Sequence, residues 1–118
     1  MHVLHSMIMK NTISLNKNYQ FSRVYRKGTS AVGKYLVLYC LKNRQNILRL
    51  GITASKKVGN SVERNRIRRL IKENYRNLED KLHTGFDIVF IARINEKLPT
   101  YYDIKKEIKY LLSKLSIS

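Results

Sequence analysis

Apolar residues recur at three- and four-residue steps through Phe21, Val24 and Tyr25, and Gly28 follows as a C-terminal stop. A short helix with an aromatic face is therefore predicted over Asn16–Lys27. The period then drops to two. From Val32 to Leu41 alternation puts Tyr35, Val37, Tyr39 and Leu41 on one face of a strand and Leu36, Leu38 and Cys40 on the other, both apolar. The polar stretch Lys42–Asn46 reads as a turn and Ile47–Ala54 as a second strand, with Leu48, Leu50, Ile52 and Ala54 sharing a face; on this reading the two strands form a hairpin. A shorter strand near Gly28–Gly33 precedes them.

The helical period returns after Gly59. Asn60 is an N-cap candidate with Glu63 three residues on, and Ile67, Leu70, Ile71, Leu78 and Leu82 make one stripe of a long amphipathic helix. Phe86–Ala92 reads as a strand buried on both faces. Beyond Pro99, Thr100 can cap a last helix with Ile104, Ile108, Leu111, Leu112 and Leu115 on one side. Helix, strands, helix, strand, helix is an α+β pattern. With 118 residues, no internal repeat and no linker, residues 1–118 are expected to form a single domain, with 1–12 a loose N-terminal extension in which Met7 and Met9 are alternative starts. His2 and His5 in that extension read as solvated side chains.

Charge narrows the function. Lysine and arginine number 24 against 8 acidic residues, a net +16, while 43% of the chain is hydrophobic. The charge thus sits on a folded unit and calls for a polyanionic partner, nucleic acid first among them. An acidic membrane surface is the competing reading, but no apolar run approaches the roughly 20 residues needed to span a bilayer. Lone Cys40 lies in an apolar run and fits a reducing cytoplasm, and no secretion signal is visible. Between Ser55 and Arg76, Lys56, Lys57, Arg64, Arg66, Arg68, Arg69, Lys72 and Arg76 meet only Glu63 and Glu73, and most of the basic side chains project away from the apolar stripe. Acids are otherwise few and scattered and His83 has no obvious partner, so neither a catalytic constellation nor a protein metal site is expected.

The stretch Arg49–Arg76, RLGITASKKVGNSVERNRIRRLIKENYR, closely resembles the signature of the bacterial ribonuclease P protein family: a strand ending in Ser-Lys-Lys, a Gly-Asn turn, then Arg-Asn-Arg opening a helix. Similarity extends over roughly residues 14–115. Ser61 stands where the family usually has alanine, and Glu63 adds a negative charge just before the motif. The resemblance implies an α+β fold of order α-β-β-β-α-β-α, a mixed four-stranded sheet with three helices similar to a domain of ribosomal protein S5. It also implies a left-handed crossover, against the roughly 98% right-handed preference of such connections.

By the same resemblance, Lys56, Lys57, Arg64, Asn65, Arg66, Arg68, Arg69 and Lys72 would contact the catalytic RNA. Phe21, Tyr25, Val37 and Tyr39 would line a cleft for the single-stranded 5′ leader of precursor tRNA. Arginine suits the first task, because its guanidinium pairs bidentately with phosphate and stacks on bases. The implied protein is a monomeric, cytoplasmic subunit, one per catalytic RNA, that binds no cofactor itself; the chemistry would belong to the RNA and its Mg²⁺. Two other classes share parts of this pattern: a ribosomal or general RNA-binding structural protein, and a stand-alone nuclease relying on His83 or an acid.

Overall fold

The computed structural model describes residues 11–118, so His2, His5, Met7 and Met9 lie outside it. The chain runs β1 (Thr12–Ser14), α1 (Asn18–Lys27), β2 (Thr29–Val32), β3 (Leu36–Lys42), β4 (Leu48–Thr53), α2 (Ser61–Leu78), β5 (Phe86–Ala92) and α3 (Tyr101–Lys114). Single 3-10 turns fall at Lys56–Val58 and Glu79–Lys81. The α+β class, the mixed sheet and the three helices agree with expectation. Among the described residues the sheet has five strands, not four, in the order β1-β4-β5-β3-β2.

The added strand is β1, whose Thr12, Ile13 and Ser14 pair in parallel with Leu48, Arg49 and Leu50. Three residues carry no periodicity, so tertiary contacts hold it there. The Thr12 hydroxyl donates to the Glu79 carboxylate and lies 2.9 Å from the Tyr75 hydroxyl, and the Asn11 amide donates to Glu79 Oε2 at 3.2 Å. Asn11 and Thr12 thus belong to the fold instead of to a loose extension. Tyr75 is fully buried, and burial pushes its phenol up to about 12.

β3 and β4 do not form a hairpin. β5 lies between them, antiparallel to β3 and parallel to β4. The strand that is apolar on both faces gains most from neighbours on both edges and helices over both faces, so it takes the centre. The loop after β3 wraps round the start of β5: the Asn43 amide donates to the Gly85 carbonyl at 2.8 Å and the Gly85 amide to the Ile47 carbonyl at 2.9 Å. The hairpin is instead β2–β3, because the apolar run from Val32 breaks at a turn over residues 33–35. Glu107 of α3 holds that turn, accepting from the amides of Lys34, Tyr35 and Leu36 at 2.9, 2.8 and 2.6 Å. Gly33 makes room for it; a Cβ there would lie 2.4 Å from the Glu107 carboxyl carbon.

α2 and α3 cover one sheet face. Leu36, Leu38, Cys40, Leu48, Leu50, Ile88 and Phe90 meet Ile67, Ile71, Tyr75, Ile104, Ile108, Leu111 and Leu112 there. Cys40 is buried beside the Thr29 hydroxyl, 3.4 Å away, and burial pushes its thiol up. α2 ends at Leu78, so Leu82 is buried beyond a 3-10 turn and does not belong to the helix. Buried Asn74, absent from the apolar stripe, ties α2 to α3 by donating to the Leu70 and Tyr101 carbonyls at 3.0 and 3.3 Å. No helix among the described residues is long and apolar enough to cross a membrane.

Candidate nucleic-acid interface

The basic surface is set by how α2 begins. The Asn60 side chain accepts from the Glu63 amide and the Glu63 carboxylate accepts from the Asn60 amide, both at 2.9 Å. This capping box turns Glu63 back onto the helix start, where a negative charge also meets the positive end of the helix dipole. Other acids are likewise committed to the fold: Asp87 pairs with Arg49, Asp103 caps α3, and Glu107 holds the β2–β3 turn. The cations are left to dominate the surface.

At four-residue spacing Arg64, Arg68, Lys72 and Arg76 form one row along α2, with Asn65 and Arg69 beside it. Lys56 and Lys57 are exposed on the preceding turn. The Arg-Asn-Arg motif and its neighbours do not project as a single outward face. Arg66 and Arg68 flank buried Ile67 on opposite sides of the helix. Arg66 reaches the Pro99 carbonyl at 3.3 Å, whereas Arg68 leans back to the Ala54 carbonyl at 3.3 Å and to Asn65 Oδ1 at 3.3 Å. Between this second flank and the sheet edge lies a cavity of about 330 Å³ lined by Ser14, Ile52, Arg68, Arg69 and Lys72.

α1 crosses the opposite sheet face. Its Val24 is fully buried against Leu15 and Val89, with Phe21, Tyr39, Leu41 and Ile91 packed around them. Phe21 sits on Gly51, where a Cβ would lie 2.4 Å from the ring. Tyr25 meets Tyr39 edge-on, centroids 5.1 Å apart at 71°. Burial pushes the Tyr25 phenol up, while a hydrogen bond with Thr53 acts the other way.

Beside α1 the register aligns Val32, Val37, Ile91 and Thr53 directly across β2, β3, β5 and β4. All four keep solvent exposure, Val32 as much as 57%. The structure therefore brings Tyr25, Val37 and Tyr39 together at an open trough. Phe21 is half-buried and supports α1 from below. Gly51, Thr53 and Ile91 were missed in the sequence; alternation along β4 and β5 places them on this face only once the strand order is known. Gly51→Ala is expected to displace Phe21, lift α1 and cost about 1–3 kcal/mol, read as a lower urea midpoint.

An arginine-rich helix on one side of a sheet and an aromatic trough on the other define a basic RNA-binding protein with two separate surfaces. The comparisons narrow this class. The family model described as Ribonuclease P matches residues 9–116. The ribonuclease P protein component of Clostridioides difficile is 50% identical over 113 residues, covering 95% of this chain and 99% of that protein. Its counterpart from Clostridium botulinum is 51% identical over 104 residues, covering 87% and 94%. Among solved structures, the Staphylococcus aureus RNase P protein superposes with a TM-score of 0.81 at 35% identity, over 88% of this chain and 95% of that one. The Thermotoga maritima RNase P protein gives 0.76 at 28% identity, over 86% and 96%. The chain belongs to the ribonuclease P protein family, the protein subunit of the ribonucleoprotein endoribonuclease that processes precursor tRNA. That rules against the general structural RNA-binding reading.

Proposed function

We propose that the two surfaces divide the work of the subunit. The α2 row, with Lys56, Lys57, Asn65, Arg66 and Arg69, docks on the catalytic RNA, and the trough beside α1 receives the 5′ leader of precursor tRNA. The alignment of Val32, Val37, Ile91 and Thr53 under Tyr25 and Tyr39 is the observation that carries this reading. It offers an extended, apolar and aromatic track, and the acid on its sheet face, Asp87, is turned to internal partners. Stacking on such a track is tolerant of sequence, which suits leaders of varied composition. The protein acts in the cytoplasm as one copy per catalytic RNA. It binds no metal itself, and the Mg²⁺ that supports cleavage is held by the RNA. By reducing repulsion between two polyanions, the basic surfaces lower the Mg²⁺ the reaction requires.

The test is leader cleavage at low Mg²⁺ by a ribonuclease P RNA with and without the protein, beside a protein-only lane. Stimulation with an inactive protein-only lane is expected; cleavage by the protein alone would overturn the mechanism. In the same assay Tyr39→Ala should weaken precursor tRNA binding by ~1–3 kcal/mol and leave mature tRNA binding unchanged. Equal losses for both tRNAs would remove the leader from the trough.

A further inference from the structure

The outer side of α3 belongs to neither surface. The helix buries Ile104, Ile108, Leu111 and Leu112, and turns Tyr102, Lys105, Lys106, Lys109, Tyr110 and Lys114 to solvent. Tyr102 and Tyr110 are 74% and 56% exposed. Tyr102, Lys106, Lys109 and Tyr110 fall within about a third of the helix circumference. Of the two carboxylates of this helix, Glu107 is turned to the three turn amides. Asp103 accepts from the Thr100 amide at 2.9 Å and lies close enough to Lys34 and Lys106 for their charges to help lower its pKa, which leaves Lys105, Lys109 and Lys114 to set the sign of the outer face. A groove of about 370 Å³ separates α3 from the β2–β3 turn, with Tyr35 and Tyr110 among its walls and Lys34 and Lys106 beside them. The Lys34 ammonium lies 5.3 Å from the Tyr35 ring centroid and Lys114 lies 5.6 Å from that of Tyr110.

A lysine face alone is a solvated surface. Phenol rings interleaved with lysines add a second requirement, a planar apolar group beside an anion, and an unpaired nucleotide supplies both. The carboxylates near the groove floor disfavour a phosphate inside it, so the base enters and the phosphates stay on the lysine rim. Position identifies which RNA. α3 packs on the sheet face shared with α2, opposite the trough, its groove bordering the β2–β3 turn that joins Val32 and Val37, and Arg66 of α2 reaches the Pro99 carbonyl at the start of α3. We propose that the outer face of α3 is a third RNA contact, where an unpaired nucleotide of the catalytic RNA sets its base between Tyr35 and Tyr110 and flanking phosphates on Lys106 and Lys109. This rests on the reading that α2 faces the catalytic RNA.

The test measures affinity for a ribonuclease P RNA across a salt series for the unsubstituted protein, Lys106→Ala/Lys109→Ala, Tyr110→Ala, Tyr110→Phe and Arg64→Ala/Arg66→Ala, each checked for an unchanged thermal midpoint. The lysine pair should reduce the slope of log K against log salt by about 1.4–1.8. Tyr110→Ala should weaken binding roughly 5- to 150-fold, with Tyr110→Phe close to the unsubstituted protein and precursor tRNA affinity of the assembled holoenzyme unchanged. Unchanged binding in all α3 variants while the arginine pair weakens it would overturn the third contact and leave the α2 reading standing. Unchanged binding in both sets would remove the α2 reading and the inference with it. A loss confined to precursor tRNA would overturn the assignment to the catalytic RNA.

Discussion

Arg64→Ala combined with Arg66→Ala is expected to weaken binding to the ribonuclease P RNA by about 10²- to 10⁴-fold, two charge-assisted contacts at ~1.5–3 kcal/mol each. The salt slope should also fall by about 1.4–1.8. The two residues stand on different flanks of α2, Arg64 in the row with Arg68 and Lys72, Arg66 toward the Pro99 carbonyl. They therefore engage different phosphates, and their losses should add nearly independently. Arg64→Lys and Arg66→Lys separate charge from geometry: the slope should be kept while part of the affinity is lost, because lysine replaces a bidentate fork with a point charge. Filter binding at several salt concentrations reads both quantities. A slope unchanged by the double alanine variant would show that neither guanidinium neutralises a phosphate.

The second large effect is on stability. Asp87→Ala should destabilise the fold by about 3 kcal/mol, measured as a lower urea midpoint at unchanged m. Asp87 is 3% exposed on the central strand, and its Oδ1 accepts from Arg49 Nε at 2.7 Å and from Asn43 Nδ2 at 2.9 Å. Removing the carboxylate leaves a largely buried guanidinium without its acceptor and the buried Asn43 amide with only the Ile47 carbonyl, and an unpaired buried charge costs more than the pair contributes. The side chain of Arg49 keeps 17% of its exposure, which places the loss at the lower end of the range for buried ion pairs. Against a typical net stability of about 5–15 kcal/mol this is a large share. An unchanged midpoint would mean that Arg49 turns out to solvent at little cost.

Glu63 illustrates how a local signal is legible and its consequence is not. The spacing from Asn60 announced the capping box, yet as a departure from the family pattern the same glutamate showed only as a negative charge just before the motif. The fold shows it occupied by the Asn60 amide. Several acidic residues in this chain serve as fastenings of caps, a turn and a buried pair.

Features that depend on near neighbours could be read directly from the order of residues. The starts of α2 and α3 at Asn60 and Thr100, the alternation that sends Leu36, Leu38 and Cys40 into the core, the α+β class, the basic motif and the family were all legible there. Each rests on hydrogen bonds or periodicities spanning a few residues, which the order of side chains encodes directly. Long-range contacts set that β5 separates β3 from β4, that Thr12–Ser14 is a fifth strand and that Gly51 is the seat of Phe21. Those outcomes depend on partners far away along the chain. Strand order follows from which strand gains most by burial on both faces, and a glycine shows its purpose only through the side chain that closes on it.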